Sequence, residues 1–192
     1  MILIEGLPDA ISIGNEIYDI NSDYQTSLKI ITAFEDNELT QHEKCMVLVQ
    51  LLYKEQPEDV KEAVLQGVKF LDCGEDRSDG DDQTHEEVTR KYSFKQDDRY
   101  IFAAVDKVLN GRLSSGEFVH WWEFVMAFME LPEKCMMSRL IYLRTQKAKG
   151  KLSKEEKELY LSMKDIVDLQ DEFSSEEQKE IDEFMRLLKG GS

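Results

Sequence analysis

The sequence predicts a mainly α protein, a helical bundle with a small N-terminal β-hairpin. Three observations carry that expectation. Only Ile11 to Ile20 alternates apolar and polar residues, and it does so around Gly14-Asn15, a pair suited to the positive φ of a tight hairpin turn. Most of the chain beyond it shows helical spacing punctuated by capping residues. Three prolines and ten glycines in 192 residues are too few for a loop-rich or all-β protein.

The elements follow in order. Strands are expected at 10–13 and 16–20. Asn21-Ser22-Asp23 can cap a helix carrying Leu28, Ile31 and Phe34. Thr40 and Glu43 form a capping-box pattern before a helix with Met46, Val47, Val49, Leu51 and Leu52. Pro57 is expected to stop that helix and start the next, through Val60, Val64, Val68 and Leu71. Residues 74–84 have no apolar period and many carboxylates, so they read as a mobile acidic loop, with a short helix over 86–91. Gln96-Asp97-Asp98 opens an amphipathic helix with Tyr100, Ile101, Ala104, Val105, Val108 and Leu109, closed by Asn110-Gly111. Ser114 or Ser115 is expected to cap an aromatic helix ending at Leu131-Pro132, and a helix over 133–148 follows. Ser153 and Glu156 match a second capping box, for a helix to about Leu169. Residues 1–170 are thus expected as one helical domain, 171–189 as an acidic amphipathic helix bearing Ile181, Phe184, Met185, Leu187 and Leu188, and 190–192 as a flexible end.

Composition narrows the function. A formal net charge of −16 argues against nucleic-acid binding, since phosphate rewards clustered Lys and Arg. Lys147, Lys149 and Lys151 form the one basic run and read as a solvated helix end. Cys45, Cys73 and Cys135 are odd in number and far apart, which predicts free thiols in a reducing compartment. Met1 to Glu5 is too short and too soon charged for a signal peptide, and no apolar run approaches the roughly 20 residues that cross a bilayer. The expectation is a cytoplasmic protein.

Catalytic and metal chemistry have little to build on. An EF-hand register with Gly80 at its sixth position puts Glu75, Arg77 and Asp79 at the first three ligand positions and Glu86 at the twelfth; an arginine stands where an oxygen belongs. Glu117 and His120 make a single E-x-x-H, whereas di-iron bundles need two. With Glu123 they are expected on an exposed polar edge. His42 and His85 have no partner at zinc-ligand spacing, and no nucleophile elbow or glycine-rich phosphate loop occurs. No enzyme, cofactor or metal is expected.

The anomaly is Gly116 to Leu131, GEFVHWWEFVMAFMEL. At helical spacing Gly116, His120, Glu123 and Ala127 share a narrow stripe, while Phe118, Trp121, Trp122, Phe124, Val125, Phe128 and Met129 cover the rest. Such a helix is surrounded by its own core or by a partner. Trp121, Trp122, Phe124, Phe128 and Met129 are therefore the candidate partner-binding residues, as core first and client surface second. Met126, Met129, Met136 and Met137 gather at the join of two helices, either as core filling or as adaptable contacts.

Several blocks carry a resemblance: Leu7-Pro8; Tyr18 to Tyr24; Phe70 to Gly74; Tyr92-Ser-Phe94 to Ile101, with its F-x-Q-D-x-x-Y-I; His120-Trp121-Trp122-Glu123-Phe124; Arg139 to Arg144; and Tyr160 to Lys164. The chain resembles, from the hairpin to about residue 170, a family of bacteriophage proteins from the tail-gene region of siphophages of Gram-positive bacteria. The resemblance implies a small helical protein with no catalytic residues, acting in the host cytoplasm and not remaining in the virion. Genes of this type lie between those for the tail tube and the tape measure, the place of tail assembly chaperones. The implied partners are the tape-measure protein and the tail-tube protein, with self-association and a frameshift-extended form left open. The alternative is a phage protein that binds and neutralises a host protein.

Overall fold

The computed structural model describes residues 2–75 and 90–169. Among the described residues the fold is mainly α, with one two-stranded antiparallel sheet near the N-terminus. Its order is α1 (Ile2–Glu5), β1 (Ala10–Ile13), β2 (Glu16–Asp19), α2 (Tyr24–Phe34), α3 (Gln41–Leu52), α4 (Val60–Leu71), α5 (Asp98–Val108), α6 (Trp121–Met129), α7 (Met136–Ala148), α8 (Lys154–Ser162) and α9 (Lys164–Val167). The expected acidic loop beyond Glu75, the helix at 86–91 for its first four residues, and everything expected after 169 lie outside the described residues. The chain divides into two compact units. One holds 2–75 with 118–125; the other holds 90–117 with 126–169.

In the first unit the hairpin pairs Ala10 with Asp19 through Ile13 with Glu16. Gly14 takes φ +58, whereas Asn15 does not enter the left-handed region, so the turn has its positive φ at the first central position only. Strand β2 stops one residue early; Ile20 N–H still reaches the Asp9 carbonyl at 2.9 Å, and the residue also bridges Tyr53. That bridge also corrects the end of α3. Tyr53 turns extended at φ −88, ψ 134, so the helix stops well before Pro57. Buried Tyr53 donates its hydroxyl to the Ala63 carbonyl at 2.7 Å, tying the α3–α4 connection to α4. The N-caps of α2 and α3 are Asp23 and Thr40, as expected, with Glu43 completing the capping box. The helix α2 core residue is Ile30, while Leu28, Ile31 and Phe34 are half-buried. The four-residue α1 has no counterpart in the sequence reading, since Ile2, Leu3 and Ile4 are all exposed and show no amphipathic pattern.

The second unit packs α5 and α9 against α7, around Leu140, Leu143 and Val167. Its most demanding residue is Arg144. The guanidinium is almost fully buried and spends all five N–H donors. Nη1 and Nη2 grip the Asp97 carboxylate at 2.6 and 2.9 Å; the other donors reach the carbonyls of Lys91, Ile166 and Val167. Asp97 therefore stands before α5 without capping it, and its Oδ2 accepts the Ser93 N–H instead. Asn110 and Gly111 close α5 as expected, with Gly111 N–H reaching back to the Asp106 carbonyl at 2.8 Å.

Two later helices depart from expectation. Helix α7 begins at Met136, three residues late, where the Cys135 sulfur accepts the Ser138 N–H. Ser153 and Glu156 do form the second capping box, but the helix breaks at Met163 (φ −120) and resumes as α9. The break turns Ile166 and Val167 carbonyls towards Arg144.

Removing one member of a buried, bidentate ion pair leaves the other charge unpaired, at a cost of about 3–5 kcal/mol. Asp97→Ala is expected to lower the unfolding free energy, read from a urea titration, by that order. Lys54→Ala, which breaks an exposed pair with Asp19 at 3.8 Å, is expected to shift it by less than about 0.5 kcal/mol. Urea titrations followed by circular dichroism compare the two.

Candidate functional site

The aromatic stretch does not begin as a helix. Residues 111–116 form turns, in which Asp106 Oδ1 accepts the N–H groups of Leu113 and Ser114. Neither Ser114 nor Ser115 caps α6. Val119 and His120 run beside residues 22–24 instead: Tyr24 N–H donates to the Val119 carbonyl, and Trp121 N–H to that of Ser22.

This moves His120 from the expected exposed edge into the interior, at 5% exposure. It immediately precedes α6, and its Nδ1 accepts the Trp122 N–H at 3.0 Å. The other ring nitrogen must then carry the proton, and it donates to the Pro8 carbonyl at 2.9 Å. His120 is a cap and a tie to the N-terminal segment, with both ring nitrogens engaged. Glu117 stays exposed beside Arg112 and Ser115. Among the described residues no group of three or more His, Cys, Asp or Glu side chains is placed to hold a metal ion.

The two tryptophans answer the question that their adjacency raises. Trp121 Nε1 donates to the Leu71 carbonyl at 2.9 Å, and Trp122 Nε1 to the Phe70 carbonyl at 2.8 Å. Phe70 and Leu71 are the last residues of α4, whose final carbonyls lack intrahelical donors. Two indoles, set about 100° apart on α6, thus cap one helix end. That end is itself tightly wound. Cys73 adopts φ +57, Gly74 adopts φ +82, and Gly74 N–H returns to the Lys69 carbonyl at 2.8 Å. A Cβ on Gly74 would come within 3.2 Å of the Trp122 ring. Burial, and then the neighbouring carboxylates of Asp72 and Glu75, push the Cys73 thiol up to about 11. Trp121 also stacks on Phe124, which stacks on Tyr24 with ring planes 4° apart.

The candidate residues therefore part company. Trp121 (3% exposed) and Phe124 are core of the first unit, and Trp122 is half-buried there. Phe128 and Met129 belong to the second unit. Phe128 packs edge-on against Tyr92 at 4.9 Å and lies 6.2 Å from Phe94. Met129 is 72% exposed and Met126, one turn earlier, 41%. Of the stripe read as the narrow face, His120 and Ala127 are buried, Glu123 is half-buried and Gly116 is exposed. Phe118, expected within the apolar surround, is 63% exposed because it precedes the helix. Tyr92 and Phe94 were missed as members of this surface. Their i, i+2 spacing is the signal that was available, but only the fold brings them to Phe128.

The model of the family described as Bacteriophage Gp15 protein matches residues 3–169. The chain belongs to that family. It is a bacteriophage protein, and the match takes in both units and the whole of α6. No curated protein and no solved structure matches the chain. Cys45, Cys73 and Cys135 are free in this family member, and no helix among its described residues is long and apolar enough to cross a membrane.

The capping geometry makes the tryptophans unequal. Trp121→Phe strips Leu71 of its indole donor in a buried setting, at an expected cost of about 1–3 kcal/mol. Trp122→Phe should cost nearer about 1 kcal/mol, because the Phe70 carbonyl keeps the Cys73 N–H at 3.0 Å. Thermal melts of the two variants test the order. Cys73 provides an independent check. With its thiol near 11, alkylation at pH 8 should run roughly a hundredfold slower in the folded protein than in urea, since the thiolate is the nucleophile. Site-resolved mass spectrometry reads that rate.

Proposed function

We propose that this protein is a non-enzymatic tail assembly chaperone that binds the tape-measure protein during tail morphogenesis, in the cytoplasm of the infected host. One observation supports it beyond the resemblance: Met126 and Met129, one turn apart on α6, are both exposed, while Phe128 between them turns to another side and packs with the rings of Tyr92 and Phe94. Exposed methionines one turn apart are costly to leave in water and adapt to varied apolar partners. An amphipathic client helix laid over them would bury its own apolar stripe. The net charge of −16 favours a soluble complex. The tryptophans have another task, capping the end of α4, and in this reading the client meets Met126 and Met129.

Co-expression with the tape-measure protein of the same phage, tagged on that client alone, tests the reading. The expected result is stoichiometric co-purification and a soluble client. Met126→Glu with Met129→Glu should lower capture at least roughly tenfold with an unchanged melting temperature. A client that stays insoluble and captures nothing would overturn the reading and favour a host-protein target.

A further inference from the structure

Strand β2 keeps part of one edge open. Its phase in the hairpin is set by Ile20, whose N–H reaches the Asp9 carbonyl at 2.9 Å. Exchanged bonds recur at every second pair of an antiparallel ladder, so the backbone groups of Tyr18 and Glu16 face β1, and those of Ile17 and Asp19 face away from it. The α3–α4 connection takes up the far end of this outer edge. Lys54 N–H donates to the Asp19 carbonyl at 3.0 Å, and Asn21 N–H to that of Leu52 at 2.7 Å. The chain then bends at Lys54 and Glu55. Among the described residues nothing bonds to the Ile17 N–H, the Ile17 carbonyl or the Asp19 N–H. The Ile17 side chain lies across from exposed Ser12 and is itself 75% exposed.

Unpaired strand groups beside an uncovered isoleucine fit an extended segment, and the surrounding charge says which kind. Residues 1–28 contain five Asp or Glu and no Lys or Arg. Exposed Glu16 and Asp19 lie on β2 itself, and Glu16 and Glu58 adjoin the Tyr18 hydroxyl. Lys54 supplies one exposed cation, 3.8 Å from Asp19. A second copy is a poor occupant, because self-pairing centred on Ile17 sets Glu16 diagonal to its own counterpart. A strand carrying Lys or Arg meets attraction at the same places.

We propose that the open edge of β2 docks an extended cationic peptide segment, which adds a third strand to the hairpin. It runs antiparallel to β2, as the bridge of Tyr53 to Ile20 already does on this edge. Its backbone exchanges bonds with Ile17, an apolar side chain covers that residue, and its cations meet Glu16 and Asp19. The site lies wholly in the first unit, so it stands or falls apart from the client reading of Met126 and Met129.

The probes are three short fluorescein-labelled peptides: alternating Lys and Val, the same with Glu for Lys, and the Lys form with its valines N-methylated. Anisotropy titrations against the full-length protein are run at roughly 50 and 300 mM salt. The Lys peptide is expected to bind at least roughly tenfold more tightly than either of the others. The gap to the Glu peptide should close at high salt, and the gap to the methylated one should persist. Ile17→Pro removes the outward N–H and keeps the bonds to β1, so it should weaken Lys-peptide binding at least roughly tenfold. Ile17→Lys, at an exposed position outside the core, should do the same with an unchanged melting temperature. Equal binding of the methylated peptide, a preference for the Glu peptide, indifference to Ile17→Lys, or no binding of any peptide would each overturn the proposal. So would self-association of the free protein that Ile17→Lys abolishes, which would give the edge to a second copy.

Discussion

Every helix leaves its last carbonyls without intrahelical donors, and a chain built of short helices has many such ends to satisfy. Here three of them are met by long side chains arriving from elsewhere in the sequence. Buried Lys44 donates to the carbonyl of Phe34, the last residue of α2. Trp121 and Trp122 donate to the last two carbonyls of α4. Arg144 donates to those of α9. Each donor is also a packing residue, so ending a helix and joining it to its neighbour are one event. The cations add a favourable interaction with the helix dipole, whose negative end they meet.

The same constraint explains what could be read from the sequence. N-caps are local, with acceptor and donor three residues apart, and Asp23, Thr40 with Glu43, and Ser153 with Glu156 all stand where pattern placed them. Helical periodicity likewise identified α2 to α5. The C-caps above span 10 to 52 residues and leave no local trace. A tryptophan pair that caps a distant helix looks, in sequence, like a pair that binds a partner. His120 was misplaced for a related reason. Periodicity extended the helix back through a segment that pairs as extended chain with residues 22–24, and only long-range backbone bonds distinguish the two. Aromatic density drew all five candidate residues to one helix but could not divide it into a capping end and an exposed end.

Charge shows a similar loss of detail. The value of −16 is unevenly spread, about −14 over the residues of the first unit and −2 over those of the second, and an argument from the total treats the surface as uniform. Screening limits the reach of a surface charge to about 8 Å at physiological salt. A partner therefore responds to the groups beside it and hardly at all to the rest of the chain.

The ends of the acidic segment have a practical side. The chain enters it from Glu75, just past the wound turn beneath Trp122, and has left it by Lys91, whose carbonyl Arg144 holds. Each anchor is complete within its own unit. A substitution at Cys73 or Gly74 therefore endangers the indole caps and spares the arginine clamp, while one at Arg144 does the reverse.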